Sequence, residues 1–203
     1  ALLSFLHLQS SFEYDNFHPD ADRIYRIITD EKTMEGTISH YASSPFLLSD
    51  QLKNDYPSIE NATKTVRDFG WELSNRLKVL KVNTIYVEPS FFQIFGFYIE
   101  KGVLPIEPNS LVLSHEMAEK FYGETNPVGK ILVHPTYGNF KITGVLKPYK
   151  KQTQFRSDVM VSISTYENRV KNSLQALAWD KYESFTYVKL IPNANINSLE
   201  LAI

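Results

Sequence analysis

The apolar positions of this chain fall into short stretches that are separated by proline, glycine and asparagine. Several stretches are rich in β-branched and aromatic residues, which favour strands. Strands are therefore predicted at residues 23–29, 61–69, 77–87, 111–113, 159–163 and 184–190. Residues 130–134 and 140–146 flank a turn and predict a hairpin. With helices between the strands, the pattern indicates an α+β fold, with two layers in each of two small subdomains.

Serine residues mark the predicted starts of three helices. Ser44 is an N-cap candidate, and Pro45 after it suits the first helical position. Ser114 caps a second helix, which Gly123 ends. Ser164 caps a third helix, which is expected to extend to about residue 172.

An aromatic run at residues 89–97 predicts a further short helix, which Gly96 ends. Its phenylalanines share one helical face, which favours a place in the core. The alternative is an aromatic platform for a sugar or a peptide. That platform would consist of Phe91, Phe92, Phe95, Phe97, Trp71 and Tyr98.

Both ends of the sequence have helical character. Residues 1–8 are apolar and helix-prone, and residues 195–203 begin an amphipathic helix with Asn197 or Ser198 as the N-cap. No apolar stretch approaches the roughly 20 residues that a membrane span needs. The two ends are therefore expected to continue a longer helical context.

Composition excludes several classes of protein. The 203 residues are 43% hydrophobic and 22% charged, which is typical of an ordered domain. The net charge of −2 argues against a general nucleic-acid binder. The absence of cysteine excludes zinc ribbons, thiol nucleophiles, iron–sulfur clusters and disulfides.

The sequence contains no recognisable catalytic, cofactor-binding or metal-binding motif. Glu13, Asp15, Asp20 and Asp22 form an acidic segment, but their spacing is not that of a calcium loop. A polar loop is the plainer interpretation. Gly144 indicates a bulge or close packing rather than a phosphate-binding loop.

Four segments, in this order, resemble one known family. They are YDNFHP with DRIYRI (residues 14–27), VEPSFFQIFGF with Lys101 and Gly102, LVLSHEMAEKFYG with NPVGK (residues 111–130), and FKITGVL (residues 140–146). In this order and spacing they are similar to the extracytoplasmic domain of a MacB/FtsX-like ABC transporter permease. The resemblance covers roughly residues 12–190.

The resemblance implies a two-part periplasmic domain between the first and second transmembrane helices of a permease. Residues 1–20 would be an N-terminal stalk helix and loop, and Asp15 and Arg23 would anchor the stalk to the porter part. Residues 21–70 and 157–194 would form a porter-like βαβ subdomain. Residues 71–156 would form an inserted small α/β, Sabre-like subdomain, and residues 195–203 would start the C-terminal stalk helix.

The resemblance also implies a function without catalysis or cofactor. The domain would couple ATP hydrolysis by a separate cytoplasmic ABC ATPase to periplasmic movement, for export or efflux. Implied partners are a second permease copy or half, a periplasmic adaptor protein, an outer-membrane duct and, through flanking helices, the membrane. Nucleic acid is not among them. The implied location is the periplasmic face of the inner membrane of a Gram-negative bacterium.

Two alternatives and one candidate surface remain open at this point. The chain could be a secreted glycan- or peptide-binding module that uses exposed aromatic residues, or a hydrolase with an unfamiliar motif. Within the family, residues 71–81 and 147–154 have an exposed, lysine-rich character and are a candidate surface for a partner or substrate. The candidate residues are Trp71, Lys78, Lys81, Lys147, Tyr149, Lys150 and Lys151.

Overall fold

The computed structural model describes residues 18, 20–149, 153–171 and 178–203, together with the backbone of residues 3–10. The strands are β1 (Leu3–Ser10), β2 (Ile24–Lys32), β3 (Ile38–Tyr41), β4 (Ile59–Ser74), β5 (Val79–Val87), β6 (Ile99–Gly102), β7 (Ser110–Leu113), β8 (Ile131–His134), β9 (Gly138–Leu146), β10 (Val159–Ser162) and β11 (Phe185–Leu190). The helices are α1 (Leu48–Asp55), α2 (Pro89–Phe95), α3 (His115–Tyr122), α4 (Ile163–Val170) and α5 (Ile196–Glu200), with a 3₁₀ turn at Ala21–Arg23. The fold is mixed α+β, as the sequence predicts.

Each strand predicted from the sequence coincides with an observed strand, although the ends are shifted. The predicted hairpin is β8 and β9, which pair antiparallel. Strands β1, β3 and β6 were not predicted. The latter two are mostly exposed and lack the apolar run by which equally short strands such as β7 and β10 are predicted.

The chain divides into two compact units with a boundary inside β4. The first unit comprises residues 1–64 and 170–203, and the second comprises residues 65–169. The second unit thus extends beyond the predicted insert at residues 71–156. Strand β10 belongs to it because Val159 pairs with both Thr84 of β5 and Leu113 of β7. Helix α4 follows β10 directly, and all of it except Val170 belongs to the same unit.

The first unit contains the strand order β1-β2-β11-β4, with β3 also paired to β2. Strand β1 runs antiparallel to β2 from Leu3 opposite Lys32 to Ser10 opposite Tyr25. Helix α1 contributes to the hydrophobic core of this unit. The buried members of that core are Ile27, Leu48, Leu52, Ile59, Ala62, Val188, Leu190 and Leu199.

The predicted N-terminal stalk helix is wrong for residues 3–10, which form strand β1. Helix propensity is a weak preference that tertiary pairing overrides. Here β2 offers a ladder of backbone partners along the whole of β1. A paired strand satisfies backbone N–H and C=O groups as fully as a helix would.

Helix α1 begins later than its sequence suggests. Ser44 is not an N-cap, because it forms a β-bridge with Ser184 instead. The Ser44 N–H donates to the carbonyl of Ser184 at 2.7 Å, and the Ser44 hydroxyl donates to the Thr186 hydroxyl at 2.8 Å. The Ser44 side chain and backbone are therefore bonded to residues far along the chain rather than to the first turn of a helix. The helix begins at Leu48 instead.

The second unit contains the strand order β4-β5-β10-β7-β9-β6, with β8 beside β9. Strand β10 is parallel to β5 and β7 is parallel to β9, while the other pairs are antiparallel. Helices α2 and α3 lie where the sequence predicts them. Gly96 ends α2 in a left-handed conformation, and the Ser114 side chain caps α3 by accepting from the N–H of Met117 at 3.1 Å.

Two other predicted caps are wrong. Ser164 lies inside α4 and its hydroxyl donates to the carbonyl of Ile106 at 2.8 Å, and α4 ends at Val170. Helix α5 is capped by Asn195, whose side chain accepts from the N–H of Ser198 at 3.1 Å. In the described part of the chain, no helix combines the length and apolar character that a membrane crossing requires.

Candidate functional site

Trp71 is not a surface residue, which corrects the sequence prediction. Its side chain is 1% exposed, and its ring makes edge contacts with the rings of Tyr86, His134 and Phe140. The reason is the alternation of β4, in which Trp71 and Leu73 both point to the core. A buried indole cannot recognise a partner, so Trp71 stabilises the second unit instead.

Three of the candidate lysines are exposed. Lys78 lies in the turn between β4 and β5, and its ammonium donates to the carbonyl of Lys120 at 2.7 Å. Lys81 lies on β5, with its Nζ atom 4.0 Å from Oε1 of Glu72. Lys147 follows β9. These residues remain candidates for a partner surface. Lys78 and Lys81 lie on the β4–β5 hairpin, and Lys147 lies after β9, all in the second unit.

The rest of the predicted surface lies partly outside the described residues. Lys150 and Lys151 are outside them, as are Glu13 and Asp15. Tyr149 is half-buried, and its ring lies 5.1 Å from that of Phe97 in an edge-on arrangement. Burial raises the pKa of the Tyr149 hydroxyl. Tyr149 therefore contributes more to packing than to an open surface.

The aromatic platform for a sugar or peptide is not formed. The four phenylalanines of the 89–97 run are buried in the second unit. Phe91, Phe95 and Phe97 pack against Phe155, and Phe92 packs edge-on against Phe91. Phe91 and Phe97 are stacked with ring centroids 5.4 Å apart. Only Tyr98 of the proposed platform is well exposed. These rings form a core, as their helical spacing favours.

Sequence reasoning missed a cluster around Arg169. The guanidinium carbon lies 3.8 Å from the ring centre of Tyr137, and the guanidinium hydrogen-bonds the Tyr86 hydroxyl. Asp68 approaches the same nitrogen at 3.5 Å. Burial raises the pKa of Tyr86 far above its ordinary value, so this hydroxyl stays neutral. The partners are far apart in sequence, so no local motif could have revealed them.

An ion-pair network in the first unit joins three separate segments. Arg23 lies 2.9 Å from Asp20 and 2.6 Å from Glu60, and Lys189 lies 2.8 Å from Asp20 and 3.1 Å from Glu60. Hydrogen bonds from Lys189 and Arg23 lower the pKa of Asp20, and those from Arg23 and Lys189 lower the pKa of Glu60. Arg23 thus joins Asp20 to Glu60 within the first unit, while its role in anchoring a stalk stays a prediction.

The segments nearest both ends of the chain are attached to the first unit. Strand β1 pairs with β2 along its whole length. Leu199 of α5 is 4% exposed and belongs to the core that includes Leu48 and Leu52 of α1. The Tyr56 hydroxyl also donates to the carbonyl of Ala202 at 2.6 Å. A movement applied to either segment would therefore act directly on the first unit.

The described residues contain no evident metal-binding site. Among them, no three His, Asp or Glu side chains are arranged to hold an ion. His115 illustrates the point, because its two ring nitrogens face Glu100 at 3.0 Å and Glu119 at 3.4 Å. Each nitrogen is thus already directed at a carboxylate.

Comparisons with known proteins agree with this architecture. The sequence profile of the MacB-like periplasmic core domain matches residues 2–203. No curated protein is significantly similar to the chain.

Three solved structures have a similar fold at low sequence identity. A domain of a protein described as a permease from Porphyromonas gingivalis has a TM-score of 0.79 and 21% identity, over 91% of this chain and 80% of that chain. The extracellular domain of the noncanonic ABC-type transporter YknZ from Gram-positive bacteria has a TM-score of 0.59 and 17% identity, over 98% and 88%. The periplasmic region of MacB from Actinobacillus actinomycetemcomitans has a TM-score of 0.60 and 18% identity, over 79% and 71%. The chain belongs to the MacB-like periplasmic core domain family and is an extracytoplasmic domain of an ABC transporter permease.

Proposed function

We propose that this domain is a non-catalytic moving part, which couples ATP hydrolysis by a cytoplasmic ABC ATPase to movement outside the cytoplasm for export or efflux. The observation that carries the proposal is the attachment of β1 and α5 to the first unit. If stalks continue from these two segments, a movement of either stalk would displace the packed core of the first unit. A packed core transmits such a displacement because it has low compressibility.

The test uses the full-length permease together with its ATPase in lipid nanodiscs. A nitroxide attached at Leu77→Cys reports movement, because Leu77 is almost fully exposed in the β4–β5 turn. The distance between labels on two permease copies is measured with and without ATP. We expect the distance distribution to change with ATP. An identical distribution in every nucleotide state would contradict the proposal.

A matched pair of variants separates coupling from ATP hydrolysis. Leu199→Ala weakens the attachment of α5, because it removes a side chain that is buried in the core of the first unit. Leu201→Ala is the control, because this neighbouring leucine is 90% exposed. We expect Leu199→Ala to retain ATP hydrolysis and to lose the ATP-dependent distance change. The control should retain both.

The proposed partners follow from the same mechanism. They are the ABC ATPase, a second permease copy or half, and the membrane through flanking helices. For a Gram-negative host, the location is the periplasmic face of the inner membrane, and an adaptor protein and an outer-membrane duct would complete the pathway. The similar YknZ domain comes from Gram-positive bacteria, so the host determines whether these last two partners exist.

The exposed lysines of the second unit are the proposed contact with an adaptor. The double variant Lys78→Glu with Lys81→Glu reverses two charges on the β4–β5 hairpin, whereas Lys141→Glu with Lys130→Glu reverses two exposed charges elsewhere in this unit. We expect only the first variant to weaken co-purification of the adaptor with the permease. If both variants recover the same amount of adaptor, the β4–β5 hairpin does not contact the adaptor.

A further inference from the structure

The turn between β8 and β9 is held by a histidine side chain. Strand β8 ends at His134, which pairs with Gly138, so residues 135–137 form a short loop. The Nδ1 atom of His134 accepts from the backbone N–H groups of Thr136 and Tyr137 at 3.1 Å each. An imidazole nitrogen accepts hydrogen bonds only while it carries no proton. The turn therefore depends on the neutral form of His134.

A second turn of the same unit uses an asparagine in the same way. In the β4–β5 turn, the Oδ1 atom of Asn75 accepts from the N–H groups of Leu77 at 3.0 Å and Lys78 at 2.8 Å. Both side chains thus bond N–H groups that lie two and three residues further along the chain. The asparagine amide does not titrate, whereas an imidazole ordinarily gains a proton at about pH 6.5. The β8–β9 turn is therefore sensitive to pH, and the β4–β5 turn is not.

The His134 ring also contacts other side chains of the second unit. It stacks on the ring of Tyr137, with centroids 4.4 Å apart and an interplanar angle of 20°. It makes an edge contact with the ring of Trp71, with centroids 4.6 Å apart. The guanidinium carbon of Arg169 lies 3.8 Å from the centre of the Tyr137 ring. Tyr137 thus contacts both His134 and Arg169, so a movement of its turn changes the surroundings of Arg169.

The charged groups near His134 come from β4 and α4. Burial favours the neutral imidazole and lowers its pKa. The carboxylates of Asp68 and Glu72 favour the charged form, and the Arg169 cation opposes it. Both carboxylates have a cationic neighbour, because Asp68 lies 3.5 Å from Nη1 of Arg169 and Glu72 lies 4.0 Å from Nζ of Lys81. A proton on His134 would remove the acceptor of two N–H groups and add a second cation close to Arg169.

We propose that His134 is a pH switch, whose protonation opens the β8–β9 turn and withdraws Tyr137 from Arg169. The turn borders a surface pocket of about 260 Å³, whose lining includes Tyr137, Arg169, Asn109 and Asn168. Opening of the turn would therefore reshape this pocket. Because the domain lies outside the cytoplasm, cytoplasmic buffering does not fix the pH around it. The pocket would have one form at neutral pH and another in mild acid.

The test measures hydrogen exchange of the 203-residue chain by ¹⁵N NMR between about pH 7.5 and about pH 5. Rates are corrected for the intrinsic effect of pH. We expect the amides of Thr136 and Tyr137 to lose about tenfold or more of their protection as His134 takes up its proton. The amides of Leu77 and Lys78 are the matched control and should keep their protection.

Two results of this measurement would overturn the proposal. One is unchanged protection of Thr136 and Tyr137 after the His134 imidazole has become protonated, which its own resonances report. The other is an equal loss of protection in the β4–β5 turn, because it would indicate unfolding of the whole unit rather than opening of one turn.

The fluorescence of Trp71 provides a second measurement, because its ring contacts that of His134. It is recorded in a Trp179→Phe background, which removes the other tryptophan of the chain. We expect a pH transition with the same midpoint as the NMR titration of His134. His134→Asn supplies the kind of acceptor that Asn75 supplies in the β4–β5 turn, so the transition should be absent. An unchanged transition in a folded His134→Asn variant would overturn the proposal.

A charge variant tests the coupling to Arg169. Arg169→Gln removes the cation that opposes protonation of His134, so the midpoint should move to higher pH. Arg76→Gln is the matched control, because it removes the same charge from an exposed position in the β4–β5 turn. An unchanged midpoint in a folded Arg169→Gln variant would contradict the proposed coupling. Thermal unfolding confirms that the variants fold, and hydrogen exchange of the parent chain decides the outcome if His134→Asn does not.

Discussion

The ammonium of Lys64 lies 2.6 Å from the Oδ2 atom of Asp50, although the lysine is 1% exposed. Lys64 lies on β4 and Asp50 on α1, so the pair joins two elements of the first unit. The Lys64 ammonium also lies 4.6 Å from the ring centre of Phe46. A charge so deeply buried depends on its counterion, because desolvation is costly.

We expect Asp50→Asn to destabilise the first unit, because it leaves the buried Lys64 ammonium without this carboxylate. The loss should be about 1–2 kcal/mol in the free energy of unfolding, since Asp50 is itself well exposed and solvent screens the pair. Lys64→Met retains most of the side-chain volume and should cost less. Urea unfolding measures both variants.

The control for this pair is Asp55→Asn, which removes the same charge from an exposed position on the same helix. It should change the free energy of unfolding by less than about 0.5 kcal/mol. Equal losses for Asp50→Asn and Asp55→Asn would show that the ion pair does not stabilise the fold.

The ion-pair network of Asp20 and Glu60 predicts a loss of stability in acid. Both carboxyl groups have pKa values below the ordinary range, so the unfolded chain binds protons more readily than the folded chain. Their stabilising contribution is therefore complete above the unfolded pKa and is lost as pH falls through the folded pKa. We expect this loss to begin below about pH 5. Urea unfolding from neutral to acidic pH should show a shallower decline for Asp20→Asn with Glu60→Gln than for the parent chain.

His134 predicts a second and separate pH effect. Burial lowers the pKa of its imidazole, and its Nδ1 atom accepts from the N–H groups of Thr136 and Tyr137 at 3.1 Å each. Only the neutral ring can accept these two bonds. Because the folded pKa is lowered, stability is lost as pH falls from the unfolded value of about 6.5 through the folded value.

An NMR titration of the imidazole resonances checks this prediction. We expect His134 to titrate below the ordinary histidine value of about 6.5. His134→Asn retains an acceptor for the turn and should remove the pH dependence between neutral and mildly acidic conditions. A His134 resonance that titrates at or above the ordinary histidine value would contradict it.

Close packing at Gly144 predicts a strong effect of a single methyl group. A Cβ atom at this position would lie 2.8 Å from the carbonyl oxygen of Val103 and 2.9 Å from that of Lys101. Both obstacles are backbone atoms, so a strand must move to relieve them. We expect Gly144→Ala to lower the free energy of unfolding by about 2–3 kcal/mol. Lys141→Ala, at an exposed position of the same strand, should have little effect, and similar losses for both variants would contradict the prediction.

Sequence patterns predicted elements whose signals are local. Helix α3 was predicted correctly at both ends, because Ser114 bonds an N–H three residues away and Gly123 follows the last helical residue. Ser44 and Ser164 are equally good caps by sequence but bond to residues far along the chain. The local sequence does not show that a distant residue will bond the serine side chain in place of the first turn of the helix. The same reason explains why β1, which resembles a helix by composition, forms a strand beside β2.

The candidate partner surface was less predictable than the fold. Lys78, Lys81 and Lys147 are exposed, as the sequence suggested, but Trp71 was not identified as buried, because its burial depends on the alternation of β4 after the bulge. The cluster of Arg169 with Tyr86, Tyr137 and Asp68 was missed altogether, because its members meet only in the folded chain.

By itself, the sequence determined the α+β composition, most strands, two helices with their caps, and the family. These features depend on local propensity, capping and the order of four segments along the chain. Tertiary structure alone decided that β10 belongs to the second unit, that Lys64 is buried against Asp50, and that Arg169 lies against Tyr86 and Tyr137. These features depend on contacts between residues that are distant in sequence, whose free energy arises only when the strands pair and the core closes.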